Sequence, residues 1–194
     1  MVDRYENFAQ LSAENEEGRD FRVRHVDREA ETAIIAPHGG TIEPETAEIA
    51  EVIAAEEFSF YAFEALQDGL HGDFHITSHR FDESRAIDLV ARSSVAIAIH
   101  GRKDDGTDTV WMGGRATALR DAIGKSLRDA GFDAAPNTRL PGVHALNICN
   151  RTKSGKGVQL ELSRSFRRRL AREPHTMDAF AEAIRGPIRS RMKE

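Results

Sequence analysis

The sequence contains a single cysteine, Cys149, and no Cys-x-x-Cys pair. One thiol cannot form an internal disulfide framework, so a stapled secreted scaffold and a dithiol redox centre are both excluded. Long apolar runs are missing as well. Stretches such as residues 95–99 fall far short of the roughly 20 residues that cross a bilayer, and Met1-Val2-Asp3-Arg4-Tyr5-Glu6 lacks the apolar region of a signal peptide. The expectation is a soluble, unprocessed, cytoplasmic protein with no membrane partner. There is no excess of basic charge either: 27 Lys and Arg stand against 32 Asp and Glu, a formal net charge of -5. Bulk attraction to nucleic acid is thereby excluded, and any recognition of anions must be local. No repeat, low-complexity stretch or long Pro/Gly/Ser linker divides the chain, which predicts one domain over residues 1–194.

What is present is length and alternation. A chain of 194 residues that is 40% hydrophobic can bury a core without covalent staples. Residues 33–36 form a short apolar run that ends at Pro37-His38-Gly39-Gly40, the pattern of a buried strand stopped by breakers. A helix is expected next, with Pro44 in its first turn, Glu45 and Glu48 at its positive end, and Ile49, Val52 and Ile53 at helical spacing. Strands are expected over 58–63, 74–77, 95–99, 110–112 and 158–162, and helices over 84–92, 115–130 and the tail. This alternation predicts an α/β fold with a mixed, mostly parallel sheet and helices on both faces.

Ligands of open α/β sheets sit beyond the carboxyl ends of strands. His38 and His100 each follow an apolar strand and each precede a glycine, which lets a ligand approach the backbone closely. Glu43 lies five residues beyond His38 across a Gly-Gly turn. Two imidazoles and one carboxylate form a known catalytic zinc set. The alternative is that these groups cap a turn and a helix start. Among eight histidines, His25, His71, His75, His79, His144 and His175 compete for the same role, and His79, within Thr77-Ser78-His79-Arg80-Phe81-Asp82-Glu83, stands as a reserve ligand or substrate contact. Hydrolysis of an amide also needs a carboxylate that does not ligate the metal. In Val158-Gln159-Leu160-Glu161-Leu162, period-2 alternation sets Gln159 and Glu161 opposite the aliphatic face, which makes Glu161 the candidate unless that face is simply solvated.

Anion recognition points to Asn150-Arg151-Thr152-Lys153-Ser154-Gly155-Lys156 and to Arg102 and Lys103 beside His100, against the alternative of a solvated basic loop. Gly155-Lys156-Gly157 lacks the string of a phosphate loop. Arg164, Arg167, Arg168, Arg169 and Arg172 form the densest basic run, but Phe166 and Leu170 give it the pattern of a packed helix with arginines outward, and no aromatic stacking platform accompanies it.

Taken in order, His38-Gly39-Gly40-Thr41-Ile42-Glu43, Ile99-His100-Gly101, Asn150-Arg151 and Leu160-Glu161-Leu162-Ser163 resemble the poly-γ-glutamate hydrolases of phages and bacilli. The resemblance implies a compact fold related to zinc carboxypeptidases, one zinc held by His38, Glu43 and His100, and Glu161 as general base. It further implies that Asn150 and Arg151 grip a substrate carboxylate, and that the substrate is an anionic γ-glutamyl polymer. Two alternatives stand beside it: a zinc amidohydrolase of small substrates such as N-formyl or N-acyl glutamate or a peptide stem, and a metal- or anion-binding protein without turnover.

Overall fold

The computed structural model describes residues 3–67 and 71–192. In chain order the elements are α1 (Phe8–Glu14), β1 (Phe21–Val26), β2 (Thr32–Gly40), α2 (Thr46–Ala54), β3 (Ser59–Ala65), the single turn α3 (His71–Phe74), α4 (Ser84–Arg92), β4 (Val95–Arg102), β5 (Val110–Gly113), α5 (Thr117–Asp129), β6 (Ala134–Pro136), a 3₁₀ turn (Ile148–Asn150), β7 (Gly157–Ser163), α6 (Arg164–Arg172) and α7 (Pro174–Arg191). The seven strands form one sheet in the order β1-β3-β2-β4-β7-β5-β6. The pairs β3/β2, β2/β4, β4/β7 and β5/β6 are parallel, while β1/β3 and β5/β7 are antiparallel. The sheet is therefore mixed and mostly parallel, with antiparallel pairs only toward its two sides, as the alternation of elements predicts.

Period-2 alternation divides the side chains between two cores. Ile34, Ile97, Ile99, Val158 and Leu160 pack with apolar positions of α2, α5, α6 and α7, where Phe132, Phe166 and Phe180 meet edge to face with centroids 5.3 to 5.9 Å apart. Ala33, Ile35, Ala96 and Ala98 face the other way, toward Leu11 of α1, Leu89 and Val90 of α4 and the buried Cys149. Burial pushes the Cys149 thiol up to about 12, so it is inert packing. Helices thus cover both faces. Among the described residues, no helix is long and apolar enough to cross a membrane.

Several elements differ from expectation. Residues 74–77 are not a strand: Phe74 ends α3, and the following coil gives its hydrogen bonds to a side chain, with Thr77 N–H donating to Asp3 Oδ2 at 2.7 Å. β2 does not stop at Pro37 but runs through the breakers to Gly40, because the pairing with β3 shifts by one residue between Ala36 and Gly39. A bulge is where proline and glycine are tolerated in a strand. α1, β1 and β6 lie outside the expected set; β1 carries the alternation Phe21-Arg22-Val23-Arg24, a half-buried edge-strand pattern. In α6, Arg167 does not face solvent. Its guanidinium is buried and donates to the carbonyls of Pro44 at 2.7 Å and Leu162 at 2.6 Å, tying α6 to the start of α2 and the end of β7.

Candidate functional site

β2 connects through α2 to β3 on one side, while β4 lies on its other side, so chain direction across the sheet reverses between β2 and β4. Such a switch point opens a crevice at the carboxyl ends of the two strands. His38 stands near the end of β2 and His100 near the end of β4. Uninterrupted alternation would turn His38 to the same side as Ile34 and Ala36. The one-residue bulge reverses it, and its ring instead meets Phe81 and the carbonyl of Ile76 on the opposite face. Glu43 returns to the same point because its N–H donates to the His38 carbonyl at 2.9 Å, closing the turn.

These side chains converge. His38 Nδ1 lies 3.4 Å from Glu43 Oε1 and 3.3 Å from His100 Nδ1, which is 3.7 Å from Glu43 Oε2. All three residues are buried. Glu43 Oε2 accepts the Gly101 N–H at 2.7 Å, and a side chain at Gly101 would meet the Arg167 guanidinium and Glu43 Cβ. His38 Nε2 donates to the Ile76 carbonyl at 2.8 Å, which turns Nδ1 toward the cluster. His100 Nε2 is buried without a hydrogen-bond partner. Burial works to raise the Glu43 carboxyl, yet His38 and His100 hold it well below the usual value. Burial disfavours protonation of His100, yet Glu43 and Glu161 raise its pKa.

Glu161 is the cross-strand neighbour of His100 on one side and of Trp111 on the other. Burial pushes its carboxyl up to about 7, against the pull of His100 and with the negative Glu43 adding to the rise. Gln159 Nε2 donates to Glu161 Oε1 at 3.3 Å and to the Leu140 carbonyl at 3.2 Å, while Asn147 Nδ2 donates to Gln159 Oε1 at 3.0 Å. This chain of amides links the carboxylate to the loop over residues 137–147. A cleft of about 780 Å³ opens over the cluster, walled by that loop and by residues 77–79.

Arg102 lines the cleft, with its guanidinium held by Asp105 at 2.8 Å and the Thr109 carbonyl at 2.9 Å. Asn150 and Arg151 are not among the lining residues. Asn150 Nδ2 donates to the carbonyls of Gly142 and His144, and its Oδ1 accepts from the N–H groups of Arg115 and Gly157. Arg151 donates to the carbonyls of Leu146 and His79, at 2.8 and 3.1 Å. Both side chains thus stand behind the walls with their donors on backbone. Lining residues that the sequence did not single out for a role include Arg139, Leu140 and Asn147. They lie in a stretch with no hydrophobic period, whose only local signals are Pro141-Gly142 and its polar residues. His75, one competitor among several in the sequence, also lines the cleft; burial and the neighbouring His38 lower its pKa to about 4.

A mostly parallel α/β sheet with imidazoles and carboxylates gathered at its switch point defines the class of protein. The chain belongs to the poly-gamma-glutamate hydrolase family, whose sequence profile matches residues 5–182. It is 36% identical over 172 residues to the SPbeta prophage-derived protein YoqZ of Bacillus subtilis (strain 168), covering 87% of this chain and 62% of that one. It is 34% identical over 171 residues to YndL of the same organism, covering 87% and 67%. The chain therefore spans about two thirds of these relatives' lengths. A bacteriophage poly-gamma-glutamate hydrolase structure superposes with a TM-score of 0.94 at 28% identity, covering 99% of each chain. The apo, zinc-free structure of YndL gives 0.89 at 29% identity, covering 96% of this chain and 98% of that one. An N-acetylmuramoyl-L-alanine amidase from Clostridium difficile 630, at 14% identity and a TM-score of 0.51, shares the fold alone.

Proposed function

We propose that this protein is a zinc-dependent amide hydrolase that cleaves γ-glutamyl bonds of an anionic polymer. The observation that carries the reading is the meeting of His38, Glu43 and His100 at the β2/β4 switch point with Glu161 in the adjacent register position. The donor set fits one divalent ion. Two Nδ1 atoms 3.3 Å apart and a carboxylate beside them, all buried, concentrate lone pairs that a cation would satisfy, and His38 gives its other nitrogen to a carbonyl as metal-binding histidines commonly do. Zinc in such a set acts as a Lewis acid toward an amide carbonyl and makes a water acidic enough to attack at neutral pH.

The chain's own residues supply the remainder. Glu161 takes a proton from the attacking water and passes it to the leaving amine; a carboxyl that burial shifts to about 7 suits both halves of that task. Gln159 and Asn147 hold the carboxylate in place through their amides. Arg102 and Arg139, on the cleft lining, hold substrate carboxylates, of which a γ-glutamyl polymer carries one on every unit. Asn150 and Arg151 serve the substrate indirectly, by fixing the 142–146 and 79 segments that wall the cleft.

The test is metal content of the purified chain together with hydrolysis of poly-γ-glutamate and of N-acyl glutamates. The expected result is about one zinc per chain, lost in His38→Ala, with chelator-sensitive cleavage of the polymer. Cleavage of acyl-glutamates alone would assign a small-substrate amidohydrolase. A zinc-loaded chain that cleaves none of these substrates would overturn the hydrolase reading.

A further inference from the structure

A second cavity, of about 440 Å³, adjoins the cleft and shares Arg102, Arg139 and Leu140 with it. Its own wall adds Asn137, Thr138 and Trp111, the single tryptophan of the chain. β5 pairs antiparallel with β7 so that Trp111 is the register partner of Glu161. Directly opposed residues of a ladder project to the same face, and neighbouring strands run about 4.8 Å apart. Trp111 therefore stands one strand beyond Glu161, as Glu161 stands one strand beyond His100. The sheet sets the histidine cluster, the buried carboxyl and the indole in a row. A cleft of about 780 Å³ is of the size that encloses a whole small ligand, roughly 300 to 1,000 Å³, so the two units flanking a cleaved bond fit within it. The adjoining cavity is room for one more.

The groups around the indole are uncommitted. Among the described residues, the Arg139 guanidinium has no ion pair or hydrogen bond, and the Trp111 indole N–H donates to no protein group. Asn137 Oδ1 accepts from the N–H groups of Arg139 and Leu140, at 3.1 and 2.9 Å, which leaves its amide NH2 as a donor. Asp105, also on the wall, is already held by Arg102 at 2.8 Å and by the Thr107 hydroxyl at 2.8 Å. Leu140, at the junction of the two cavities, is 64% exposed and so offers an apolar surface that the chain itself leaves open. An unpaired guanidinium beside an indole and an open leucine suits a ligand that joins a carboxylate to a short methylene chain. Each unit of a γ-glutamyl polymer is built that way, with one carboxylate and two methylenes between its amides. We propose that this cavity is a further substrate subsite, which holds a γ-glutamyl unit beyond the two that flank the cleaved bond, its carboxylate on Arg139 and its methylenes against Trp111. The subsite thereby selects long chains over single acyl-glutamates. This rests on the γ-glutamyl hydrolase reading given above and extends it to the length of the substrate.

Because Trp111 is the only tryptophan, its emission reports occupancy of the subsite directly. A γ-linked glutamate hexamer is titrated into the full chain carrying Glu161→Gln, in which turnover is suppressed, and then into the same chain with Arg139→Gln added. The expected result is a saturable change in emission, absent with N-acetylglutamate, and an apparent affinity about 10-fold weaker once Arg139 is replaced. With Glu161 intact and zinc supplied, Trp111→Phe and Arg139→Gln should each lower the ratio of kcat/KM for the polymer to that for the shortest oligomer cleaved, by about 10-fold. Circular dichroism checks that each variant is folded, and Arg139→Gln, on an exposed side chain, decides the point should Trp111→Phe fail to fold. An emission that does not move at saturating hexamer, or losses equal for polymer and shortest oligomer, would overturn the subsite and leave the hydrolase reading intact. A zinc-loaded chain that cleaves no γ-glutamyl substrate of any length would overturn both.

Discussion

Two buried glutamates, about twenty residues apart in the chain, are held in opposite ways. Glu64 on β3 pairs with Arg22 and Arg24 across the β1/β3 ladder, at 2.9 and 2.7 Å. Its partners are guanidiniums, charged at every accessible pH, and both reach the surface. Glu43 has two imidazoles and a single backbone N–H. Both carboxyls lie below their usual pKa, and in both burial works upward while the partners pull down. The difference is the permanence of the positive charge. A carboxylate among guanidiniums keeps its positive partners at every accessible pH, whereas the partners of Glu43 are positive only when protonated, and such conditional pairing is the pattern of a candidate site rather than of a fold-holding ion pair.

The largest effect is expected outside both pairs: Glu161→Gln should cut hydrolysis about 10²- to 10⁴-fold while zinc content and thermal midpoint stay unchanged, measured by polymer cleavage and elemental analysis. Glu43→Gln should lower zinc affinity at least about 100-fold. Glu64→Gln should leave zinc affinity unmoved and lower unfolding free energy by about 1.5 to 3 kcal/mol, read by denaturant unfolding. An effect of Glu64→Gln on metal would mean that Glu64 and Glu43 do not differ in role.

The two carboxylates also differ in how pH acts on them. Folding lowers the Glu64 pKa, so its contribution is complete above the ordinary carboxyl value of about 4.3 and fades as pH falls through the lower folded value. The stability gap between the unaltered chain and Glu64→Gln should therefore close below about pH 4. Gly101→Ala sets a methyl against the Arg167 guanidinium and Glu43 Cβ, and should cost about 1 to 3 kcal/mol together with some metal affinity. Arg151→Lys is expected to be the mildest, a few-fold rise in KM with turnover kept, because a lysine loses one of two carbonyl bonds on the cleft walls.

The sheet was legible where apolar runs were strong. Residues 33–36, 58–63, 95–99 and 158–162 fall within β2, β3, β4 and β7, or within one residue of their ends, since local burial on both faces leaves its mark residue by residue. Residues 74–77 misled because a short apolar pair can equally cap a hydrophobic face, and here Ile76 is buried from a coil held by Asp3. Arg167 misled for a related reason: helical spacing separates faces, but it does not reveal three carbonyl-bearing strand and loop ends waiting beneath one of them. In the candidate site, the fold brings together His38, Glu43, His100 and Glu161, whose places after or within strands are readable from the sequence. Gln159 was seen only as a neighbour on the polar face, and Asp3 and Arg139 carried no local pattern.

What the amino-acid order determines by itself is therefore the alternation of strands and helices, the absence of staples and membrane spans of helical type, and the strand-end positions of the histidines. These follow from short-range periodicity and backbone chemistry. Tertiary structure decided the rest. A one-residue bulge at 36–39 chose which face His38 serves, and parallel register set His100 beside Glu161. Packing turned Arg167 inward, put Asn150 and Arg151 behind the cleft walls, and brought Asp3 to His75 across 72 residues. Each depends on the geometry of distant segments, because the free energy that orients a buried polar group comes from whatever partners the fold places within hydrogen-bond reach.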